Sequence, residues 1–172
     1  MTNAGDFRTQ IGEAFAGEGA EAAHVNTVLG PFGGAVETAW VSALASPTAG
    51  HTPFVAVLRP GLPVKPLTLF VNKATIAHAR HGTLTWGAAQ AGVAKGVAEA
   101  VAEGTIATAE VDDLLLVVAV WVNRDAREET LVFENNVTST LEALRAGAAA
   151  APAVADTLAA RAAPWNAYFT CP

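Results

Sequence analysis

Residues 114–122 read Leu-Leu-Leu-Val-Val-Ala-Val-Trp-Val, nine apolar residues with neither a charge nor an alternation. The run is far too short to cross a bilayer, which takes about 20 residues. Its Val and Leu content predicts a strand, and the lack of polar positions means a strand covered on both faces. The chain must therefore place this segment at the centre of a sheet and supply neighbours and cover around it.

The other segments can be read as that supply. Residues 21–29 end at Gly30-Pro31-Phe32-Gly33-Gly34 and predict a strand running into a loop. In residues 35–45, Val36, Ala39, Trp40, Ala43 and Leu44 recur at helical spacing. Residues 54–58 form a compact apolar strand candidate. In residues 59–66, Pro60, Pro63 and Pro66 fix φ and remove donors, which predicts a stiff, extended connector. Thr, Val and Phe make 68–72 another strand. Residues 74–85 predict a short helix, and 87–103 a longer one whose face of Ala91, Ala94, Val97, Ala98 and Val101 is mostly small. Residues 124–145 predict an amphipathic helix on Leu131, Val132, Val137, Leu141 and Leu144. Residues 146–172 read as an Ala-rich helix with a tail that packs on a neighbour. No boundary or repeat divides the chain, so a single domain of mixed α and β elements is expected over residues 1–172.

Composition narrows the functional classes. A net charge of -6, with no basic run, excludes a nucleic-acid footprint, which needs clustered Lys and Arg. The single cysteine, Cys171, excludes an internal disulfide framework and a Cys-rich zinc site. Residues 1–10 lack the basic and apolar regions of a signal peptide, and a cytoplasmic location is expected. Only 15% of residues are charged, and 39 of the 172 are alanine, which buries little area per residue. Such a chain leaves apolar surface for subunit contacts, so an oligomer is expected.

Common catalytic signatures are missing: there is no Gly-x-Ser-x-Gly elbow, no phosphate loop and no Gly-x-Gly-x-x-Gly fingerprint. Of the four histidines, His78 and His81 stand three apart, but nearby residues do not complete a ligand set, so solvated helix histidines are expected there and no metal. His24 differs, lying in an apolar stretch just before the Gly-rich loop. Arg59 and Lys65, flanking the Pro-rich connector, read equally as structural pairs or as binders of an acidic ligand tail.

The surroundings of His24 carry a family resemblance. Gly17-Glu18-Gly19-Ala20-Glu21-Ala22-Ala23-His24-Val25-Asn26-Thr27-Val28-Leu29-Gly30-Pro31 resembles the N-terminal signature of the formaldehyde-activating enzymes. The stretch from Gly50-His51-Thr52-Pro53-Phe54 through Pro63-Val64-Lys65-Pro66, then Asn72-Lys73-Ala74-Thr75-Ile76 and Gly87-Ala88-Ala89-Gln90, continues it in the same order, and it runs to about Gly147. The resemblance implies an α+β fold of the ribosomal-protein-S5-domain-2 type, with a mixed sheet packed with helices, assembled as a homopentamer. It implies condensation of formaldehyde with tetrahydromethanopterin, as co-substrate, to methylene-tetrahydromethanopterin and water, as in one-carbon metabolism, with the pterin between subunits. On it His24 falls on the catalytic histidine, and Asn26, Val55, Lys73, Thr75 and Gln90 on pterin contacts.

The chemistry suits a histidine. Addition of a pterin amine to formaldehyde gives a carbinolamine, whose hydroxyl must leave as water. An imidazolium can donate that proton, and the imidazole can take one back from an amine. Departures bear on the site. The family carries an aspartate where this chain has Asn26, and its late-helix motif appears as Glu134-Asn135-Asn136-Val137-Thr138-Ser139; the tail after Gly147 shows no counterpart. An alternative that these departures favour is a non-catalytic relative binding a pterin, a folate or a formaldehyde adduct.

Overall fold

The computed structural model describes residues 7–166 and the strand Phe169–Thr170. Cys171 and residues 1–6, read above for a disulfide and a leader, lie outside the described residues. Five strands form one sheet in the order β1 (Gln10–Ala16), β2 (Ala23–Pro31), β7 (Leu114–Val122), β6 (Leu67–Asn72) and β3 (Phe54–Val55). β7 pairs antiparallel with β2 and parallel with β6, while β1 and β3 are antiparallel edges. The nine-residue apolar run is thus the central strand. The fold is α+β with a mixed sheet.

Helices α3 (Gln90–Ala102) and α4 (Glu129–Ala148) cover one face of the sheet. The main core lies there: Val25 and Leu29 of β2, Leu116, Val118 and Val120 of β7, and Val93 and Val97 of α3 are fully buried or nearly so. α4 presses closely on β1, with Gly12 as the point of contact: a Cβ built on it would stand 1.7 Å from the Ala143 carbonyl oxygen. α3 and α4 meet in the same way, through Gly92 beneath the Phe133 carbonyl and Gly96 beneath that of Val137.

The other face is covered at one end only. Helix α1 (Ala35–Ala45) lays Val36 and Trp40 against Leu69 and Leu115. Beyond it, Ala119 and Trp121 of β7 and His24 and Asn26 of β2 are only half-buried. The expectation that residues 114–122 are covered on both faces therefore holds at the Leu115 end and fails at the Trp121 end.

Several boundaries differ from the sequence reading for identifiable reasons. Residues 10–16, not read as a strand, form β1 because its inward positions are Gly12, Ala14 and Ala16, small enough to fit beneath α4, while Ile11, Glu13 and Phe15 point outward. β2 continues through Gly30 and Pro31, which pair with Leu115 and Leu114 at the end of the ladder. Residues 54–58 break at Ala56 into β3 and β4 (Val57–Arg59), and the Pro-rich connector turns at Gly61 so that β5 (Leu62–Pro63) pairs with β4. The helices expected at 74–85 and 87–103 are one continuous helical run: α2 (Ala79–Thr83), a π-helical stretch Leu84–Ala89, and α3. In α3 the buried face is Gln90, Gly92, Val93, Ala94, Gly96, Val97 and Ala100, so Ala91 is exposed. In α4 the face is Val132, Asn136, Ser139, Thr140, Ala143, Leu144 and Gly147, while Leu131 is exposed. Helix α5 (Val154–Ala160) and a hairpin of β8 (Trp165–Asn166) and β9 (Phe169–Thr170) follow.

Candidate active site

Strand alternation sends every second residue of β1, β2 and β7 to the half-open face. Phe15 pairs with His24 and His24 with Trp121, giving one cross-strand row; Glu13, Asn26 and Ala119 form the next. Lys73 stands one residue past β6, where its backbone N–H donates to the Val120 carbonyl at 2.7 Å and so extends the strand pairing. Glu13, Phe15, His24, Lys73, Trp121, Trp165 and Asn166 line a cleft of about 470 Å³. Its walls are largely aromatic, and its charged groups are Glu13, Lys73 and, when protonated, His24.

His24 is held from two sides. Its Nε2 lies 2.9 Å from Glu13 Oε1, a diagonal neighbour across the β1–β2 pair. The Phe15 ring stands 6.3 Å away, tilted by 49°. Nδ1 has no partner among the described residues. Lys73 Nζ donates to Asn26 Oδ1, which fixes the amide with Oδ1 toward the ammonium and leaves Nδ2 as the group it can offer a ligand.

The remaining expected residues stand elsewhere. Thr75 Oγ1 lies 2.9 Å from His51 Nε2, and His51 Nδ1 donates to the Asn72 carbonyl oxygen at 2.9 Å. Asn72 Nδ2 donates to the carbonyls of Gly50 and Ala74, so these residues brace the loop that carries Lys73 and Thr75. Val55 packs beside the α1 cluster. Gln90, buried at the start of α3, donates its Nε2 proton to the Val57 carbonyl at 2.9 Å. One chain therefore brings His24 and Lys73 into the lined cleft, with Asn26 hydrogen-bonded to Lys73, and leaves Val55, Thr75 and Gln90 outside the lining.

Of the histidines at 78 and 81, both expected to be solvated, His78 is exposed and His81 is not. His81 is 1% exposed. Its Nδ1 accepts from the Ala77 N–H at 3.1 Å, so Nε2 carries the proton given to the Val122 carbonyl at 3.0 Å. Burial pushes its pKa down, with charge on His78 and Arg124 adding to the effect. His78 caps α2 by accepting from the His81 N–H. Lys65 pairs with Asp112, one of the two roles weighed for it. No group of three or more His, Cys, Asp or Glu that could hold a metal ion occurs among the described residues. No described helix is long and apolar enough to cross a membrane.

Glu13, Phe15 and Trp121 were not among the residues expected at the site. The alternation of Ile11, Glu13 and Phe15 was the available signal for the first two, and the pairing of the apolar run with β2 for the third.

Residues 11–168 match the profile of the formaldehyde-activating enzyme (Fae) family, so the match continues past Gly147 through most of the tail. A 5,6,7,8-tetrahydromethanopterin hydro-lyase from Methanosarcina barkeri is 41% identical over 153 residues, 89% of this chain and 86% of that protein. Bifunctional enzymes Fae/Hps from Methanosarcina barkeri and Methanosarcina mazei are each 40% identical over 136 residues, 79% of this chain and 35% of theirs.

Proposed function

Since the chain belongs to the formaldehyde-activating enzyme family, we propose that it is a hydro-lyase condensing formaldehyde with 5,6,7,8-tetrahydromethanopterin, with His24 as its proton carrier. The observation that carries the assignment of the site is the Glu13–His24 pair at 2.9 Å within an aromatic-walled cleft that also holds Lys73. A cleft of about 470 Å³ is of the size that takes a small organic ligand. Phe15 and Trp121 offer flat apolar surfaces for a ring system. Lys73 Nζ is a donor for its carbonyl or ring-nitrogen acceptors, while the amide of Asn26, its Oδ1 turned to Lys73, serves the donors of an amino-pyrimidine edge less well than a carboxylate would.

His24 as imidazolium gives its proton to the hydroxyl that departs as water, and as imidazole it takes a proton from the amine that closes the ring. The two transfers balance, so the enzyme ends as it began. General acid–base help of this kind contributes about 10² to 10⁴ in rate, and holding the two reactants together in the cleft adds to it.

Assembly follows the same reading. Val55, Thr75 and Gln90 belong to a pterin site by resemblance, yet lie outside the cleft of their own chain. A homopentamer with the pterin between subunits accounts for this, since one copy completes the cleft of the next. The exposed apolar residues Ile11, Val41, Leu44 and Trp86 supply surface for such contacts. The S5-domain-2-like architecture and a cytoplasmic setting go with this reading.

The test is condensation of formaldehyde with tetrahydromethanopterin measured above the spontaneous rate. His24→Ala is expected to remove about 10² or more of the enzymatic rate. A His24→Ala protein as fast as wild type would refute the assignment of His24.

A further inference from the structure

We propose that Glu13 is a positioning residue for His24, holding Nε2 of the ring so that Nδ1 is the nitrogen that exchanges the proton with the reactants. This rests on the proposed reaction and deepens it. Glu13 Oε1 stands 2.9 Å from Nε2, and no described residue takes Nδ1. Both residues project from neighbouring antiparallel strands into the same cleft, so their separation is set by sheet pairing rather than by a loop.

The charges around the ring fit this role. Besides Glu13 from β1, the charged group lining the cleft is Lys73, at the end of β6; Phe15 and Trp121, on either side of His24 in the ladder, carry none. Lys73 turns its ammonium to Asn26, leaving the Glu13 carboxylate to the imidazole. A carboxylate there accepts the Nε2 proton in either charge state of the ring and balances the imidazolium when Nδ1 is protonated. Without it the ring is free to turn about its χ angles, and Nε2 competes with Nδ1 for the reactants.

The pair is half open to water, with side-chain exposures of 36% for His24 and 60% for Glu13, so its contribution to folding is small and its removal is read in the chemistry. The experiment is steady-state kinetics, with formaldehyde and tetrahydromethanopterin, on wild type, Glu13→Ala, Glu13→Gln, His24→Ala and the Glu13→Ala/His24→Ala double variant. Glu13→Ala is expected to lower kcat by about ten- to a hundredfold, with the KM for the pterin within about threefold. Glu13→Gln keeps an acceptor for Nε2–H and should recover part of the loss. In the double variant the Glu13 change should cost nothing beyond His24→Ala, because it acts through the ring. Glu13→Ala with wild-type kcat beside an inactive His24→Ala overturns this inference and leaves the reaction standing. A rise in KM alone, or a further loss in the double variant, overturns it in favour of direct contact with substrate. A wild-type rate equal to the spontaneous one overturns both.

Discussion

Replacing Gly12 with alanine adds one methyl group at the tightest point between β1 and α4. That Cβ would lie 1.7 Å from the Ala143 carbonyl oxygen, 2.7 Å from its carbon and 2.9 Å from Thr27 Oγ1. Ordinary contact needs a separation of at least about 3.2 Å, so α4 must lift by about 1.5 Å. The obstacle is helix backbone, which cannot turn aside as a long side chain can. The cost belongs at the top of the overpacking range, about 3 kcal/mol. For a chain of this length that is a fall in Tm of about 6–12 °C. The same change at Gly87 is the control. It sits exposed in the helical run, nothing lies within 4 Å of its added Cβ, and alanine there should leave stability unchanged or raise it by about 0.5–1 kcal/mol. Denaturant unfolding of both variants and wild type, at equal protein concentration, separates the two signs. A Gly12→Ala cost below about 1 kcal/mol would show that α4 is free to yield and would refute the close-approach reasoning. Glu13 follows Gly12 in β1, so the variant should also lose activity at temperatures where it remains folded.

Acid should weaken the fold through His81: its folded pKa is lowered, so as the pH falls through the ordinary 6.5 the unfolded chain takes a proton that the folded chain refuses. Tm should therefore drop between pH 7.5 and 5.5, and His81→Gln, though less stable, should flatten that slope; an equal slope in both proteins would contradict the assignment. Glu103, held down to about 2 by its hydrogen bonds to Arg145 and Thr105, contributes stability above its ordinary 4.5 that is lost only as the pH falls toward 2, which keeps it out of this window. Asn26→Asp turns the Lys73 contact into an ion pair and offers the ligand an acceptor in place of the Nδ2 donor. A charge-assisted hydrogen bond is worth about 1.5–3 kcal/mol, so the KM for tetrahydromethanopterin should fall by roughly tenfold or more with kcat little changed, and an unaltered KM would show that Asn26 does not touch the pterin.

Much of the fold was legible because burial is written most strongly where it is two-sided. The 114–122 run announced a central strand, and helix 35–45 was bounded by its Gly and Pro signals. β1 was not legible for a physical reason: its large residues, Ile11 and Phe15, face outward, while its buried positions hold glycine and alanine. Hydrophobic size then points to the wrong face. The same inversion affected α3, whose glycines are buried, and α4, whose buried face contains Asn136, Ser139 and Thr140. Close approach between backbones selects small or short polar residues, and a pattern search weighted to apolar size passes over them.

The site divides along the same line. His24, Asn26 and Lys73 were expected from the order of short motifs, and the structure places His24 and Lys73 on one cleft with Asn26 bonded to Lys73. Glu13 had no motif of its own and could be seen only once β1 was paired with β2 in register, since a diagonal neighbour exists only after the ladder does. This asymmetry follows from how the cleft is built. His24 and Glu13 rise from adjacent strands anchored by α4 from behind, so their geometry is as rigid as the sheet. Lys73 sits at a strand end, and Thr75 and His51 beyond it in a braced loop. The pair proposed to handle the proton is therefore mounted on the ladder, and Lys73 and Thr75, proposed to contact the pterin, on its margins. A one-residue slip of β1 would turn Glu13 to the α4 face and present Gly12 or Ala14 to His24, so the close fit of Gly12 beneath Ala143 also keeps the carboxylate on the imidazole.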